Sequence, residues 1–246
     1  MTQKQIGVVV RLRRYPIKSM RGEDLSEARV FSSGVEGDRR FAFVVDEYSN
    51  TMHPWMTARH ANEMLLYEPN LSYDKESDDV DVLSPEGEKF SVSDGTLEKD
   101  LEQRFGRGLS LRHDRAGCFD SKPLSLIGVE TIRDLSRETG LDLQLERFRA
   151  NVYVDWDEKK PFYEDELIDK NLIVTRQGSI DSAEAVKLRL VKKDSRCVIP
   201  TLDPVTARPS PEVLEVIQAS HGGCAGVYAV VEKEGTARVG DSIYVV

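Results

Sequence analysis

The sequence predicts a mainly β protein whose sheets close into a barrel, with a few peripheral helices. Three observations predict it. Valine dominates the apolar residues and falls in short runs bounded by Gly, Asp and Pro, the pattern of strands between turns. Segments with helical period are few. Sheets built from many short strands tend to close or stack.

Strands are expected over residues 7–13, 41–46, 79–83, 89–92, 151–155, 172–175, 187–193, 226–232 and 241–246. Pro85-Glu86-Gly87 reads as the turn between two of them, and Glu234-Gly235 as the turn between the last pair. Three helices interrupt the pattern. Thr96 is the expected cap of one, with Leu97, Leu101 and Phe105 on a single face and Gly106 as its stop. Val129, Ile132 and Leu135 mark a second that ends at Gly140. Ser210-Pro211 opens a third, which buries Leu214 and Ile217. The segment 114–122 mixes Gly, Asp, Ser and charge and marks a domain junction. The acidic stretch 74–79 reads as a solvated loop.

A chain of 246 residues accommodates one large β domain or two smaller ones. Its net charge is -9, from 34 basic and 43 acidic residues. That balance argues against nucleic acid as a partner, whose phosphates are gripped by many Lys and Arg contacts. It leaves room for one basic pocket inside an acidic shell. The three cysteines, Cys118, Cys197 and Cys224, form no Cys-x-x-Cys pair, so neither a disulfide framework nor a structural zinc site is expected. Free thiols fit a reducing compartment. Only a short apolar run, 6–10, stands near the start, and no segment reaches the ~20 apolar residues a membrane span needs. A cytoplasmic protein is therefore expected.

Four clusters carry candidate chemistry. In Ser195-Arg196-Cys197 a thiol follows a permanent cation at the end of a valine-rich strand. Arg196 would favour the thiolate, which is a nucleophile and a soft metal ligand. A small buried core cysteine is the plain alternative. In Tyr15-Pro16-Ile17-Lys18-Ser19 a cation and a hydroxyl share a turn, a pairing that suits phosphate; surface turns also carry such residues. Gly37-Asp38-Arg39-Arg40 places two arginines before a strand. In Arg147-Phe148-Arg149-Ala150-Asn151, Arg149 and Asn151 would face the same side of an extended chain, able to read a ring edge or an anion. The four histidines are scattered and read as surface or packing residues.

In order along the chain, these segments resemble the MOSC family, named for the C-terminal domain of molybdenum cofactor sulfurase. Tyr15-Pro16-Ile17-Lys18-Ser19, Gly37-Asp38-Arg39-Arg40-Phe41 and Thr57-Ala58-Arg59 resemble its N-terminal β-barrel domain. Arg147-Phe148-Arg149-Ala150-Asn151, Glu164-Asp165, Ser195-Arg196-Cys197, Thr201-Leu202-Asp203-Pro204 and Val239-Gly240-Asp241 resemble the MOSC domain itself. The resemblance implies an N-terminal β-rich domain over 1–116 and a MOSC β-barrel over 117–246. It is strongest to the two-domain type that includes the amidoxime-reducing component.

That type implies the molybdenum cofactor, Mo-molybdopterin, with Cys197 as the metal ligand and, with Arg196, a catalytic residue. Lys18, Ser19 and Arg39 would hold the cofactor phosphate. Arg149 and Asn151 would contact the pterin, Ser195 and Arg196 would flank the ligand, and Ser121 would add a hydroxyl contact. Ala150 departs from the proline usual between Arg149 and Asn151. No cysteine cluster for an iron–sulfur domain is present, so electrons would come from a separate redox protein. The implied function is an oxidoreductase that reduces N-hydroxylated or N-oxide small molecules. A sulfur carrier working through a Cys197 persulfide, or a non-catalytic cofactor-binding module, are the alternatives.

Overall fold

The computed structural model describes residues 3–51, 53–71 and 79–246. In chain order the strands are β1 (Lys4–Arg14), β2 (Glu23–Leu25), β3 (Glu27–Phe31), β4 (Gly34–Val35), β5 (Phe41–Val45), β6 (Glu68–Asn70), β7 (Asp81–Leu83), β8 (Lys89–Ser91) and β9 (Leu109–His113). After these come β10 (Leu124–Gly128), β11 (Val152–Trp156), β12 (Asn171–Thr175), β13 (Val186–Ser195), β14 (Cys224–Lys233), β15 (Gly235–Arg238) and β16 (Ser242–Val245). Four α-helices are interspersed: α1 (Thr96–Phe105), α2 (Val129–Thr139), α3 (Tyr163–Glu166) and α4 (Glu212–His221). The protein is mainly β, as expected. Among the described residues no helix is long and apolar enough to cross a membrane.

Seven strands close a barrel in the order β11-β10-β14-β13-β12-β16-β1, with β1 pairing back onto β11. Closure removes the free edges that an open sheet would expose. Alternate side chains fill the interior: Ile6, Val9 and Leu12 of β1 meet Val152, Val154, Leu188, Leu190, Val227 and Ile243. The first strand of the chain is thus a stave of a barrel otherwise built from the C-terminal half. β3 also pairs with β15 across the chain. The expected division after residue 116 falls between β9 and β10, and both β1 and β3 pair across it.

The second lobe consists of the β5–β9 ladder, the three-stranded sheet β6-β7-β8 and α1. Its own core joins Phe41, Phe43, Met56, Met64, Tyr67, Leu97 and Leu101, and Leu202 enters it from the C-terminal half. A third cluster packs α2 and α4 on the outside of the barrel through Ile132, Leu135, Val213 and Ile217.

Several expectations shift at the level of detail. Gly106 and Gly140 do end their helices, in the left-handed conformation at φ +64° and +70°. The N-cap position of α1 is Gly95 rather than Thr96 and has no side-chain cap; Asp94 Oδ1, just before it, accepts the Thr96 amide at 2.9 Å. Helix α4 begins with no side-chain cap and buries Val213 with Ile217, leaving Leu214 half-buried. Glu234-Gly235 does not join a hairpin: β14 pairs with β13 and β10, while β16 pairs with β1 and β12. The short β15 lies between them. Seven short strands escaped the valine pattern; β6 contains Pro69, which an edge strand tolerates because it needs no inward N–H. Of the acidic stretch 74–79, all but Asp79 lies outside the described residues.

Helix α3 exists to deliver one buried carboxylate. Glu164 Oε1 accepts the Gly128 amide at 3.1 Å and the Thr131 hydroxyl at 2.9 Å, and Oε2 accepts Trp156 Nε1 at 3.2 Å. Burial raises its pKa, with the surrounding donors opposing. This ties the start of α2 to the barrel wall. In Glu164→Gln, either orientation of the amide sets an NH2 group against a buried donor. We expect a loss of about 1–3 kcal/mol in denaturant unfolding, the cost of an unsatisfied buried group.

Candidate functional site

A cleft of about 320 Å³ opens where the barrel meets the second lobe. It is lined by residues from segments distant in sequence, among them Lys18, Ser19, Arg39, Arg59, Asp120, Ser121, Ser125, Arg149, Ser195, Arg196, Cys197 and Tyr228. Eight cationic side chains face it against two carboxylates, Asp120 and Asp194, in a chain whose net charge is -9. Such a concentration of one sign focuses potential on any anion that enters.

The backbone is strained at the same place. Six described non-glycine residues have positive φ, and Ser19 (+68°), Arg39 (+49°) and Arg149 (+51°) are three of them. Left-handed geometry costs a non-glycine residue about 1–2 kcal/mol, and such strain clusters at functional sites. All three residues line the cleft.

Lys18 lies just beyond β1, held by its amide bond to the Phe41 carbonyl at 2.8 Å. Its Nζ donates to the Cys118 carbonyl at 2.8 Å and pairs with Asp120 Oδ1 at 2.9 Å. Burial lowers its pKa, with Asp120 opposing. Arg39 pairs with the buried Asp38 and donates to the Arg149 carbonyl at 3.0 Å. Guanidinium groups gather over the Tyr15 ring, with Arg39 at 4.7 Å, Arg149 at 4.3 Å and Arg13 at 5.7 Å from its centroid. These cation–π contacts offset repulsion between the arginines. No carboxylate pairs with Arg149 among the described residues; it donates to the Met20 carbonyl at 2.7 Å. Burial, with Arg39 and Arg13 nearby, pulls its pKa down to about 10.

Cys197 is placed by two features. Strand β13 carries three register shifts against β14, the last between Lys193 and Ser195. A bulge of this kind bends a strand and re-aims the residues after it. Downstream, Leu202 anchors in the core of the second lobe, and Arg147 Nη1 donates to the Thr201 carbonyl at 2.8 Å. Cys197 is half-buried and faces the cleft, not the apolar interior. It is the one soft donor among the described lining residues. Among the described residues no group of three or more His, Cys, Asp or Glu could hold a metal ion.

The cation beside the sulfur differs from the expected one. Arg196 turns away from Cys197. Its Nε donates to the Ala225 carbonyl at 2.7 Å, and its Nη1 to the Phe148 carbonyl at 2.8 Å while pairing with Asp194 at 3.0 Å. Gly226 permits this close packing, since a Cβ there would come 2.8 Å from the Leu126 carbonyl oxygen and 3.2 Å from Arg196 Nη2. Arg59, from the second lobe, is the cation that interacts electrostatically with Cys197 instead, and it donates to Asp120 at 2.9 Å. Behind Arg196, burial raises the pKa of Asp194, which bonds the Tyr228 hydroxyl.

Ser195 and Ser121 lie at the exposed rim. Asn151 does not reach the cleft. The chain before β11 is a turn with Arg149 left-handed, so Arg149 and Asn151 diverge instead of sharing a face. Asn151 Oδ1 accepts the Ser125 amide at 3.2 Å and its Nδ2 donates to the Arg13 carbonyl at 3.3 Å. It therefore positions Ser125, which does line the cleft. Sequence reasoning passed over Tyr15, Arg59, Asp120, Asp194 and Tyr228 as site residues, although Tyr15 and Arg59 lie inside family motifs.

Comparison with known proteins adds to this geometry. The MOSC domain model matches residues 96–244, and the MOSC N-terminal beta barrel domain model matches residues 6–114. A molybdenum cofactor sulfurase of Caenorhabditis briggsae is 28% identical over 232 residues, spanning 85% of this chain and 31% of the relative. The chain thus covers less than a third of that protein. Mitochondrial amidoxime reducing component 2 of Macaca fascicularis is 23% identical over 295 residues, spanning 98% of this chain and 84% of the relative. The crystal structure of the YUAD protein from Bacillus subtilis shares the fold, with a TM-score of 0.53 and 14% identity, covering 99% of this chain and 98% of that one.

The three thiols differ in surroundings. Cys118 is buried, and burial pushes its pKa up to about 11; Cys197 and Cys224 are half-buried. Alkylation of the native protein by iodoacetamide at pH 8, read by peptide mass spectrometry, is expected to modify Cys197 and spare Cys118 until denaturant is added. Equal labelling of the two would contradict this placement.

Proposed function

The chain belongs to the MOSC family, and from that premise we propose that its cleft binds the molybdenum cofactor, with Cys197 as the protein's metal ligand. The observation that carries the reading is the set of eight cationic side chains gathered around one accessible soft sulfur. The residues present suit such a group. Arg149 Nη2 and Arg196 Nη2 are buried without hydrogen-bond partners, and unsatisfied donors of this kind are costly unless a ligand completes them. A metal with a single protein ligand needs a cofactor that brings further donors, as a dithiolene does.

In this reading Lys18, Ser19 and Arg39 hold the phosphate, Lys18 as a point charge and Arg39 as a fixed planar donor. Arg149 faces the pterin, Ser195 and Ser121 contribute rim hydroxyls, and Asn151 keeps Ser125 in place. Arg196 fixes the loop that carries Cys197, while Arg59 places a positive charge near the sulfur. When bound, the cofactor supplies two-electron redox chemistry that no side chain here can provide. The reaction is reductive removal of oxygen, as water, from a small N-hydroxylated or N-oxide substrate. Electrons come from a separate redox protein. The three free cysteines suit a reducing, cytoplasmic setting.

The match to cofactor sulfurases favours a second reading, in which Cys197 carries sulfur as a persulfide. Both readings use the same thiol and differ in what it holds. Cys197→Ser, produced in a cofactor-making host, is expected to lose molybdenum and reductase activity together while keeping part of its pterin. Retention of both metal and activity would remove the oxidoreductase reading. A gain of about 32 Da on Cys197 of the wild type, reversed by a thiol reductant, would favour the carrier.

Arg149→Met removes the one cleft arginine without an acidic partner. It is expected to lower pterin content by about tenfold, the loss of roughly one charge-assisted hydrogen bond. Unchanged content in a folded variant would take Arg149 out of the site.

A further inference from the structure

Two carboxylates line the cationic cleft, and they are not equivalent. Asp194 is buried and committed to Arg196 and Tyr228. Asp120 stands in the cavity wall and spends each oxygen on a different cation. Oδ1 pairs with Lys18 Nζ at 2.9 Å and Oδ2 with Arg59 Nη2 at 2.9 Å. Burial disfavours its charged form, but Lys18 and Arg59 outweigh that and hold its pKa below the usual carboxylate range. It sits in the 114–122 segment, which forms neither helix nor strand.

We propose that Asp120 is a built-in competitor for the anionic group of the cleft's ligand. Its carboxylate holds Lys18 and Arg59 as a phosphate would, and an arriving phosphate must displace it. This rests on the reading of Lys18 as a phosphate-holding residue. The consequence is selectivity by charge. A singly charged anion that replaces Asp120 at these cations returns no more Coulomb energy than it removes. A doubly charged phosphate does, so the site rejects carboxylates and keeps phosphates. While the ligand is away, the carboxylate also keeps the buried Lys18 from standing unpaired beside the exposed Arg59, which would be costly.

The alternative is that Asp120 only orients Lys18 and Arg59. The two roles predict opposite signs. A competitor weakens phosphate binding, whereas an orienting residue strengthens it.

The test is calorimetric binding of inorganic phosphate and of acetate to the cofactor-free chain at constant ionic strength. The panel is the wild type, Asp120→Asn, Asp120→Ser, Lys18→Met and the exposed control Asp157→Asn. Removing the competing charge is expected to tighten phosphate binding by about tenfold in both Asp120 variants. Acetate binding should tighten by a similar factor in the same proteins, because the displaced carboxylate costs both anions alike. Asp157→Asn, with the same change in net charge, should match the wild type. Lys18→Met should bind phosphate more weakly than the wild type. Equal or weaker phosphate binding by both Asp120 variants overturns the proposal while leaving Lys18 as a phosphate residue. Failure of every protein to bind phosphate, or binding unaffected by Lys18→Met, overturns the parent reading as well.

Discussion

Eight cationic groups around one small cavity repel one another, and the architecture of the site answers that repulsion. Without compensation the cleft would open or its side chains would swing into water. The compensation is specific at each position. Tyr15 offers its ring to Arg39 and Arg149, Asp38 neutralises Arg39, and Asp120 bridges Lys18 and Arg59. Arg147 and Arg196 each donate to two backbone carbonyls. Arg149 has no carboxylate partner among the described residues, and its Nη2 lacks an acceptor. The cleft is stable enough to form and remains electrostatically incomplete, which is the condition for binding an anion tightly.

The barrel supplies the rigidity this requires. Because β1 closes the barrel and then runs directly into Tyr15, Lys18 and Ser19, these residues are fixed to the same frame as Cys197. The segment after Cys197 crosses back through Leu202 into the core of the second lobe. Each lobe thus holds a piece of the other at the cleft, so relative movement is limited without any disulfide. Arg59 uses this arrangement: it shares the cleft with Cys197 because the second lobe is held against the barrel.

Much of this was legible in the residue pattern. Valine runs and glycine stops located most of the longer strands and α1, α2 and α4. The motifs containing Lys18, Arg39, Arg149 and Cys197 identified residues that the fold brings to one cavity. What sequence could not convey is direction. Arg196 neighbours Cys197 in sequence, and proximity suggested that it serves the thiol; tertiary packing turns it toward Ala225 and Phe148. Asn151 and Arg149 would share a face of an extended chain, but positive φ at Arg149 separates them. The role of Arg59 depends on a contact across 138 positions of sequence, which no local pattern encodes. Short strands such as β9 and β15 owe their existence to their pairing partners more than to their own residues.

One determination reaches the central claim most directly: the molybdenum and pterin content of the wild-type chain purified from a molybdenum-replete, cofactor-producing host. The account predicts both in near-equimolar ratio to protein, retained through gel filtration. Protein that folds, elutes as a single species and carries neither would show that the cationic cleft serves some other anion, and that the sulfur at its edge has no metal to hold.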